Sequence, residues 1–418
     1  MASRNARGIA SREAWMWKDI KAQTALLIVE QSALEPADSS VSSSPECELL
    51  CTYNWQDAKD AVIQVPGHAP IWQEVPLPIQ VPEDQGTYFV DQNAGRIPQY
   101  PFEPVFRATL SMNPLARFDD VDLVVNRNSL RKLFDFCKGV SQETFRVDLH
   151  LVRNTLFIER RERSAREMIR GSGGSGYGRN FEKLCTKFPN GVDHSTGHHR
   201  VLRYPLGNLN CVVRFEVDAC YKVAGETNNS THSPGHTNDG DALIAAMANL
   251  NMKTSISPSK SSSASKIAEQ TNYGNEQPPG VMPQSTAAEI KTTARMKGRG
   301  RYIPQLWFGR TPWLIVAHHN FGIFDGIQVT NVVDAGDFAY WETRYQDALR
   351  KMVTLIEKMR ETVRRNQGKY CVAIFEQFSN PRCIKVYASS REKQALPDEL
   401  VDLFWLGEDG GVSLAPYI

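Results

Sequence analysis

Three features are missing from this sequence of 418 residues, and each absence argues against a class of protein. No apolar run approaches the ~18 residues that a membrane-spanning helix requires, so we expect no membrane partner. The eight cysteines form no paired Cys-x-x-Cys ladder, which argues against structural zinc. A secretory hydrophobic segment is lacking too, so we expect reduced thiols in a nuclear or cytoplasmic protein.

An excess of charge of either sign is also missing. Lys and Arg number 48 against 47 Asp and Glu, which gives a formal net charge of +1. Binding of nucleic acid would therefore depend on local clustering of basic residues rather than on the field of the whole chain. The hydrophobic content of 41% is enough to build a core, and the length allows one large domain or two.

Biased composition divides the chain into regions. Residues 1–45 end in a Ser-rich stretch, and we expect them to form a flexible N-terminal segment. Residues 60–115 are punctuated by proline, which predicts extended segments and turns. From about 224 to 285, Ser, Asn, Thr, Gly and Pro dominate, which predicts a disordered insertion with one short helix candidate, Asp241–Met252. The remaining sequence predicts a single catalytic domain over 46–418, interrupted by this insertion.

Hydrophobic periodicity predicts a mixed architecture. Apolar residues recur at alternating steps of four and three over Trp341–Asn366. This pattern predicts a helix whose apolar face packs on a sheet. Shorter helices are predicted near Ser129–Cys137 and from Gly178 onward. Alternating runs bounded by turn residues predict the strands Phe145–Val152, Thr155–Glu159, Arg200–Tyr204, Cys211–Val217, Ala287–Thr292, Trp313–Ala317 and Tyr370–Phe375. The predicted fold class is α+β, with mixed, largely antiparallel sheets, flanking helices and a central cleft.

Acidic residues in two strand-like segments carry the strongest chemical signal. Glu216 and Asp218 are two apart in a β-branched apolar run, a spacing that points both side chains to one face of a strand. Glu289 and Lys291 repeat this spacing further along the chain. Carboxylates supply oxygen ligands for divalent cations, and a lysine supplies positive charge at a phosphate or at the attacking water. The pattern predicts a metal-dependent phosphodiesterase that acts on nucleic acid.

Taken in order along the chain, five motifs resemble those of the DXO-type (Rai-like) decapping nucleases. These motifs are an arginine motif, Gly-x-x-x-Glu, Glu-x-Asp, Glu-x-Lys and a glutamine ahead of a strand. They are represented here by Arg127 in VVNRNSLRKLF, Glu182 in GRNFE, the segments RFEVD and EIKTT, and Gln305 in PQLWFGRTPWLIV. The resemblance runs from about residue 100 to residue 326. Arg179 departs from it, because the family prefers an apolar residue after this glycine, and the insertion lengthens the gap between the acidic motifs.

The resemblance implies a role for each motif residue. The ligands that it implies for one or two Mg²⁺ or Mn²⁺ ions are Glu182, Glu216, Asp218, Glu289 and the backbone carbonyl of Ile290. Lys291 and Gln305 would be catalytic and would also contact the substrate phosphate. Arg127 would hold a phosphate bidentately, and the neighbouring Arg131 and Lys132 could serve instead.

Each of these residues also has a purely structural interpretation. Glu216 and Asp218 could occupy a solvated strand face, and Glu182 could be an ordinary charge on a helix. Lys291 could form a surface ion pair, and Gln305 could make a structural hydrogen bond. The sequence leaves these alternatives open.

Three further stretches have weaker claims to function. GSGGSGYG at 171–178 lacks the Gly-Lys-Ser/Thr ending of a nucleotide-binding loop, which favours a flexible linker. His194, His198 and His199 lie in a predicted polar loop, so we do not expect them to bind metal. RRERSAREMIR at 160–170 is basic enough to meet RNA, but a solvated loop or helix face is the preferred interpretation.

The expected function is that of a metal-dependent hydrolase of RNA 5′ ends. The resemblance implies removal of pyrophosphate from triphosphate ends, removal of incomplete guanosine caps or NAD caps, and 5′→3′ exonucleolysis, in the setting of mRNA quality control. It also implies a 5′→3′ exoribonuclease as a partner. Two alternatives stay open: a catalytically silent adaptor of such an exoribonuclease, and a DNA-directed nuclease, because acid-x-lysine strands also occur in restriction-type nucleases.

Overall fold

Runs rich in β-branched and aromatic residues give this chain its strands. The computed structural model describes residues 13–20, 24–44, 47–141, 143–166, 168–171, 174, 176–222, 267–271, 280–295 and 298–406. Within these residues the strands are β1 (Leu27–Glu30), β2 (Glu48–Gln56), β3 (Ala61–Gln64), β4 (Ile71–Trp72), β5 (Ile79–Gln80), β6 (Gly86–Phe89), β7 (Leu123–Asn126), β8 (Phe145–Val152), β9 (Thr155–Arg161), β10 (Met168–Gly171), β11 (Thr186–Lys187), β12 (Ser195–Leu206), β13 (Leu209–Glu216), β14 (Ala219–Cys220), β15 (Ile267–Gln270), β16 (Ala287–Thr293), β17 (Trp313–Asn320), β18 (Ile323–Asn331), β19 (Cys371–Phe375) and β20 (Cys383–Ala388).

Helices flank these strands, and the longest follows the predicted apolar stripe. In the described part of the chain the α-helices are α1 (Gln92–Arg96), α2 (Glu103–Met112), α3 (Arg127–Cys137), α4 (Gly178–Cys185), α5 (Ile303–Phe308), α6 (Asp337–Arg365) and α7 (Asp398–Phe404). Short 3-10 helices cover Ala14–Trp17, Gln31–Ala33, Gln284–Thr286 and Arg299–Arg301. In α6, Leu349, Met352 and Ile356 are fully buried. This helix begins about one turn earlier than predicted, after Gly336 in the left-handed region.

The larger sheet brings two chain segments of the predicted site to one edge. Its order is β1-β20-β19-β8-β9-β7-β13-β12-β2-β3-β15, and β7 and β13 are parallel neighbours with Asn126 opposite Arg214. Parallel strands present their carboxyl ends at the same edge of a sheet. The start of α3 at Arg127 and the end of β13 at Glu216 therefore lie side by side.

The second sheet delivers the other half of the site. Its order is β11-β4-β14-β16-β17-β18-β5, and β14 runs antiparallel to β16 with Ala219 opposite Ala288. The chain leaves the larger sheet at Glu216 and enters the second sheet at Ala219, so the link between them includes Asp218. The pairing of β14 with β16 sets this link beside Glu289. The predicted acidic motifs thus meet where the two sheets join.

The predicted fold class is confirmed, since mixed and largely antiparallel sheets combine with flanking helices. The proline-punctuated stretch differs from its prediction of extended segments and turns, because it also contains α1 and α2. Pro104 lies in the first turn of α2, where a missing backbone N–H does not interrupt the helix. The helix is held in place by its buried residues Val105 and Phe106.

The predicted N-terminal and insertion boundaries also differ in part. Residues 24–44 were expected to be flexible, yet β1 pairs with β20 at the edge of the larger sheet, and Leu34 and Val41 are buried. At the end of the predicted insertion, β15 pairs with β3 and Met282 is buried. The helix candidate Asp241–Met252 lies outside the described residues.

The described residues up to 221 and from 267 onward form one compact unit. Among the helices of this unit, none is long and apolar enough to cross a membrane.

Candidate active site

In the link between the two sheets, residues 216–218, side chains alternate in direction as the sequence predicts for Glu216 and Asp218. Val217 is buried, whereas Glu216 and Asp218 both line a cavity of about 870 Å³. The backbone N–H of Ile290 donates a hydrogen bond to Asp218 Oδ2 at 2.9 Å. This bond holds the first acidic motif against β16, which carries the second one.

Strand β16 places a carboxylate and an ammonium group next to this link. Lys291 Nζ lies 2.5 Å from Glu289 Oε1 and 3.9 Å from Asp218 Oδ2. Glu289 is 1% exposed, so its charge is buried and needs a partner. Lys291 therefore bridges the two acidic motifs rather than forming a surface pair.

The fourth carboxylate comes from helix α4. This helix begins where the Asp84 carboxylate accepts hydrogen bonds from the backbone N–H groups of Arg179 and Asn180, a cap supplied by a distant segment. Phe181 is fully buried on its inner face. Glu182 follows it and lines the cavity.

Arg127 and Gln305 complete the predicted set. Arg127 Nη1 lies 3.1 Å from Glu289 Oε2, and Gln305 Nε2 donates to Glu289 Oε1. Arg131 Nη1 in turn donates to Gln305 Oε1 at 3.1 Å. Asp218, Glu289, Lys291, Arg127 and Gln305 thus lie in one connected network, and Glu182 and Glu216 line the cavity beside it. The roles of these residues, and of the Ile290 carbonyl as a metal ligand, remain predictions.

The carboxylates differ in pKa because of their surroundings. Enclosure in the cavity, together with the charges of Glu216 and Glu289, raises the pKa of Glu182 to about 7 despite the opposing effect of Lys291. Burial and then the charge of Glu289 hold the pKa of Asp218 well above its ordinary value. Desolvation likewise raises the pKa of Glu216. Desolvation also opposes ionisation of Glu289, but Lys291 and then Arg127 outweigh it and lower the pKa of this residue to about 2.

These shifts bear on whether the residues suit a divalent metal. Burial is the first cause of the raised pKa values of Glu182, Glu216 and Asp218, and neighbouring carboxylates add to it, so a bound cation would favour the ionised forms. The donor set is all oxygen, which hard cations such as Mg²⁺ and Mn²⁺ prefer. Within the described residues, no three acidic, His or Cys side chains are already grouped as ligands of one ion. Glu289, whose oxygens face Lys291 and Arg127, would have to turn from these partners to bind an ion.

Arginines also line the cavity, beside its carboxylates, and sequence reasoning largely missed them. The arginines that line it in the described part of the chain are Arg96, Arg127, Arg131, Arg160, Arg179 and Arg214. Arg160 belongs to the basic stretch that was interpreted as a solvated loop or helix face, yet β9 reaches Arg161 and β10 follows at Met168–Gly171. The sequence signal for Arg179 was its departure from the family pattern.

The histidine cluster does not form the predicted polar loop. His198 and His199 lie on β12 and are buried, because this strand is paired on both sides, with β13 and with β2. His198 Nδ1 lies 2.6 Å from Asn54 Oδ1, and the His199 ring stacks on Tyr53 with centroids 5.0 Å apart. These rings form part of the cavity wall.

Comparisons with known proteins cover most of the chain. A family model described as "Domain of unknown function (DUF8563)" matches residues 23–405. No curated protein matches the sequence.

Solved structures of Rai1 proteins share the fold. Rai1 of S. pombe has a TM-score of 0.54 at 10% identity, over 87% of this chain and 99% of that one. Rai1 of Scheffersomyces stipitis, in complex with (3′-NADP)+ and calcium, has a TM-score of 0.52 at 12% identity, over 92% and 98%. Rai1 of Candida albicans, in complex with pU5-Mn²⁺, has a TM-score of 0.51 at 12% identity, over 88% and 99%. The fold is therefore Rai-like, as the sequence motifs predict.

Proposed function

Since the chain belongs to the DUF8563 family and has a Rai-like fold, we propose that it is a divalent-metal-dependent hydrolase of RNA 5′ ends. The observation that carries this proposal is the convergence of Glu182, Glu216, Asp218 and Glu289 with Lys291 at a cavity that is also lined by arginines. The likeness to Rai1 structures with pU5-Mn²⁺ or (3′-NADP)+ and calcium supports RNA or a dinucleotide as substrate and a divalent ion as cofactor.

The four carboxylates and the Ile290 carbonyl would hold one or two Mg²⁺ or Mn²⁺ ions. When bound, such ions neutralise charge on a phosphoryl group and lower the pKa of a water molecule. Burial, and then neighbouring carboxylates, raise the pKa of Asp218 and Glu182, and such cations would stabilise the ionised forms.

The protein's own cations would position the phosphate. Lys291 sits between the two acidic motifs, where its ammonium group can face the phosphate under attack. Gln305 is held by Glu289 on one side and by Arg131 on the other, so its amide has a fixed orientation. Arg127 would exchange Glu289 for a phosphate oxygen, which a guanidinium binds bidentately.

One such site can serve several substrates. Release of pyrophosphate from a triphosphate end, removal of a guanosine or NAD cap and removal of the first nucleotide all break a phosphate bond near the first nucleoside. We propose the first two as the principal activities, with 5′→3′ exonucleolysis as an additional one.

Turnover of short labelled RNAs tests the proposal. RNAs with triphosphate, guanosine-cap, NAD-cap or monophosphate ends are incubated with Mg²⁺, Mn²⁺ or EDTA. Wild-type protein should release the end group only with metal, and a folded Glu216→Gln, Asp218→Asn double variant should not. Turnover that survives in the double variant would refute the carboxylate assignment. RNA binding without turnover on any end would instead favour the adaptor of an exoribonuclease.

A further inference from the structure

Five of the arginines that line the cavity donate hydrogen bonds from their guanidinium groups to acceptors within the protein. Each donates to a side chain or a carbonyl of the fold: Arg96 to Thr196, Arg127 to Glu289, Arg131 to Gln305, Arg160 to Glu162 and Arg214 to Asn126. Arg179 differs from them. Among the described residues, its guanidinium has neither a hydrogen-bond acceptor nor a carboxylate within 4.0 Å.

The Arg179 side chain is nevertheless held in position. Its guanidinium carbon lies 3.9 Å from the centre of the Tyr88 ring, and the Tyr88 hydroxyl donates to the Gln85 carbonyl at 2.6 Å. Lys183, one turn further along α4, has its ammonium 3.5 Å from the same hydroxyl. Stacking occupies one face of the guanidinium and leaves the N–H groups at its edge available to a ligand.

The position of Arg179 relates it to the acidic cluster. It precedes Glu182 by about one turn of the same helix, and both residues line the cavity. Arg179 is therefore close enough to act on a group bound at the carboxylates, from α4 rather than from α3, which carries Arg127.

A guanidinium edge with no protein acceptor among the described residues, in a cavity proposed to bind phosphate, suits a second phosphoryl group. We propose that Arg179 binds the phosphate next to the one under attack and so selects 5′ ends with two or more linked phosphates over monophosphate ends. This inference rests on the proposed function of the site. The arginine stands where the resembling family prefers an apolar residue, so the selectivity would be a property of this chain.

A linked phosphate is favoured over the RNA backbone as the occupant. Glu182 and Arg179 are about one helical turn apart, which suits groups bonded directly to the phosphate under attack. A phosphate further along the RNA would be common to all 5′ ends and would give no selectivity. The two occupants therefore predict different results for the same variant.

The test compares two RNAs of one sequence, with a triphosphate or a monophosphate 5′ end, in Mn²⁺. The Arg179→Met variant should lose roughly ten- to hundredfold in kcat/KM on the triphosphate RNA, with little change on the monophosphate RNA. Arg179→Lys, which keeps the charge but not the planar fork, should recover part of the loss. Tyr88→Phe should behave as wild type, whereas Tyr88→Leu should share the defect. Arg365→Met removes an exposed charge far along α6 and serves as the control.

Binding without turnover provides an independent readout. Calorimetric titration of metal-free protein with tripolyphosphate should show a roughly tenfold or larger loss of affinity in Arg179→Met, while orthophosphate binding changes little. An equal loss of kcat/KM on both RNAs would place Arg179 on the RNA backbone and overturn the proposal. Unchanged tripolyphosphate binding would overturn it too. If wild-type protein turns over no RNA, the proposed function fails, and the tripolyphosphate titration still decides whether Arg179 binds linked phosphates.

Discussion

Arg127 and Glu289 form an ion pair, with Nη1 and Oε2 3.1 Å apart, that joins the first turn of α3 to strand β16. The arginine is 11% exposed and the glutamate 2% at their side chains, so water screens the pair poorly. The Arg127 guanidinium also lies over the Phe215 ring, 5.3 Å from its centre. A residue expected to bind substrate phosphate and one expected to bind metal thus form an ion pair with each other.

A double-mutant cycle should detect this pair as an energetic coupling. Arg127→Met and Glu289→Gln should each lower the free energy of unfolding, and the coupling between them should be about 0.5–3 kcal/mol, since the charges are close and largely buried. Urea denaturation without metal measures it. The exposed pair Arg364 and Glu361 provides the matched cycle, in which the coupling should lie within error. Coupling of the Arg127 pair no larger than that of the exposed one would contradict the prediction.

The alternation of apolar and polar residues along a strand and the residue types at turns are local signals. They were enough to predict much of the fold. Strand β8 has the predicted ends, and β9 pairs with it through a turn at Arg153, which takes a left-handed conformation. Strand β2 was missed because polar residues such as Thr52 and Asn54 interrupt its apolar run. Both are buried by pairing with β12 and by hydrogen bonds to Gly67 and His68.

The acidic set was predictable for the same reason, while the setting of Arg179 was not. Acid-x-acid on a strand end fixes which way Glu216 and Asp218 point, whatever the rest of the fold does. The setting of Arg179 depends on Tyr88, some ninety positions earlier, and on the cap from Asp84. Long-range pairings of this kind leave no periodic trace in one sequence.

Replacement of Lys291 should impair turnover more than substrate binding. Its ammonium contacts both acidic motifs, at Glu289 and Asp218, so Lys291→Met should lower kcat by roughly 10²–10³-fold. KM for a triphosphate RNA should change much less, because the cavity arginines remain. Lys291→Arg keeps the charge and should be less impaired. Steady-state kinetics in Mn²⁺ measure both constants, and a change in KM alone would assign Lys291 to binding.

Acid should destabilise the fold through its buried histidines. Burial, and then the charges of Arg214 and Arg127, lower the pKa of His199 to about 3, against about 6.5 in an unfolded chain. Between these values the unfolded chain binds the extra proton, so stability present above pH 6.5 is lost as the pH falls. At pH 5 the loss from His199 is about 2 kcal/mol. Burial also holds the pKa of His198 well below its ordinary value, which adds in the same direction.

The His199→Gln variant should flatten this pH dependence. A glutamine amide can keep the hydrogen bond between His199 Nε2 and Asn93 but does not titrate. Urea unfolding at pH 7 and pH 5 should show a smaller difference for the variant than for wild type. His194, which is 85% exposed, provides the control substitution His194→Gln, with an unchanged profile. An equal drop in wild type and His199→Gln would show that other groups cause the acid sensitivity.

A single methyl group at Gly197 should disturb the acidic cluster without unfolding the protein. A Cβ added there would lie 2.8 Å from Glu216 Oε1 and 2.9 Å from Gln92 Oε1, both at the ends of flexible side chains. Those ends can move, so the free energy of unfolding of Gly197→Ala should change by less than about 1 kcal/mol.

The carboxylate that must move is one of the predicted metal ligands. Gly197→Ala should therefore lower kcat/KM on triphosphate RNA by roughly ten- to hundredfold and weaken Mn²⁺ binding measured by calorimetry. Gly326→Ala is the matched control, because an added Cβ there meets no atom within 4 Å. Full activity and unchanged Mn²⁺ affinity in Gly197→Ala would mean that Glu216 binds the metal ion from another rotamer. Its role as a ligand in the observed orientation would then be untenable.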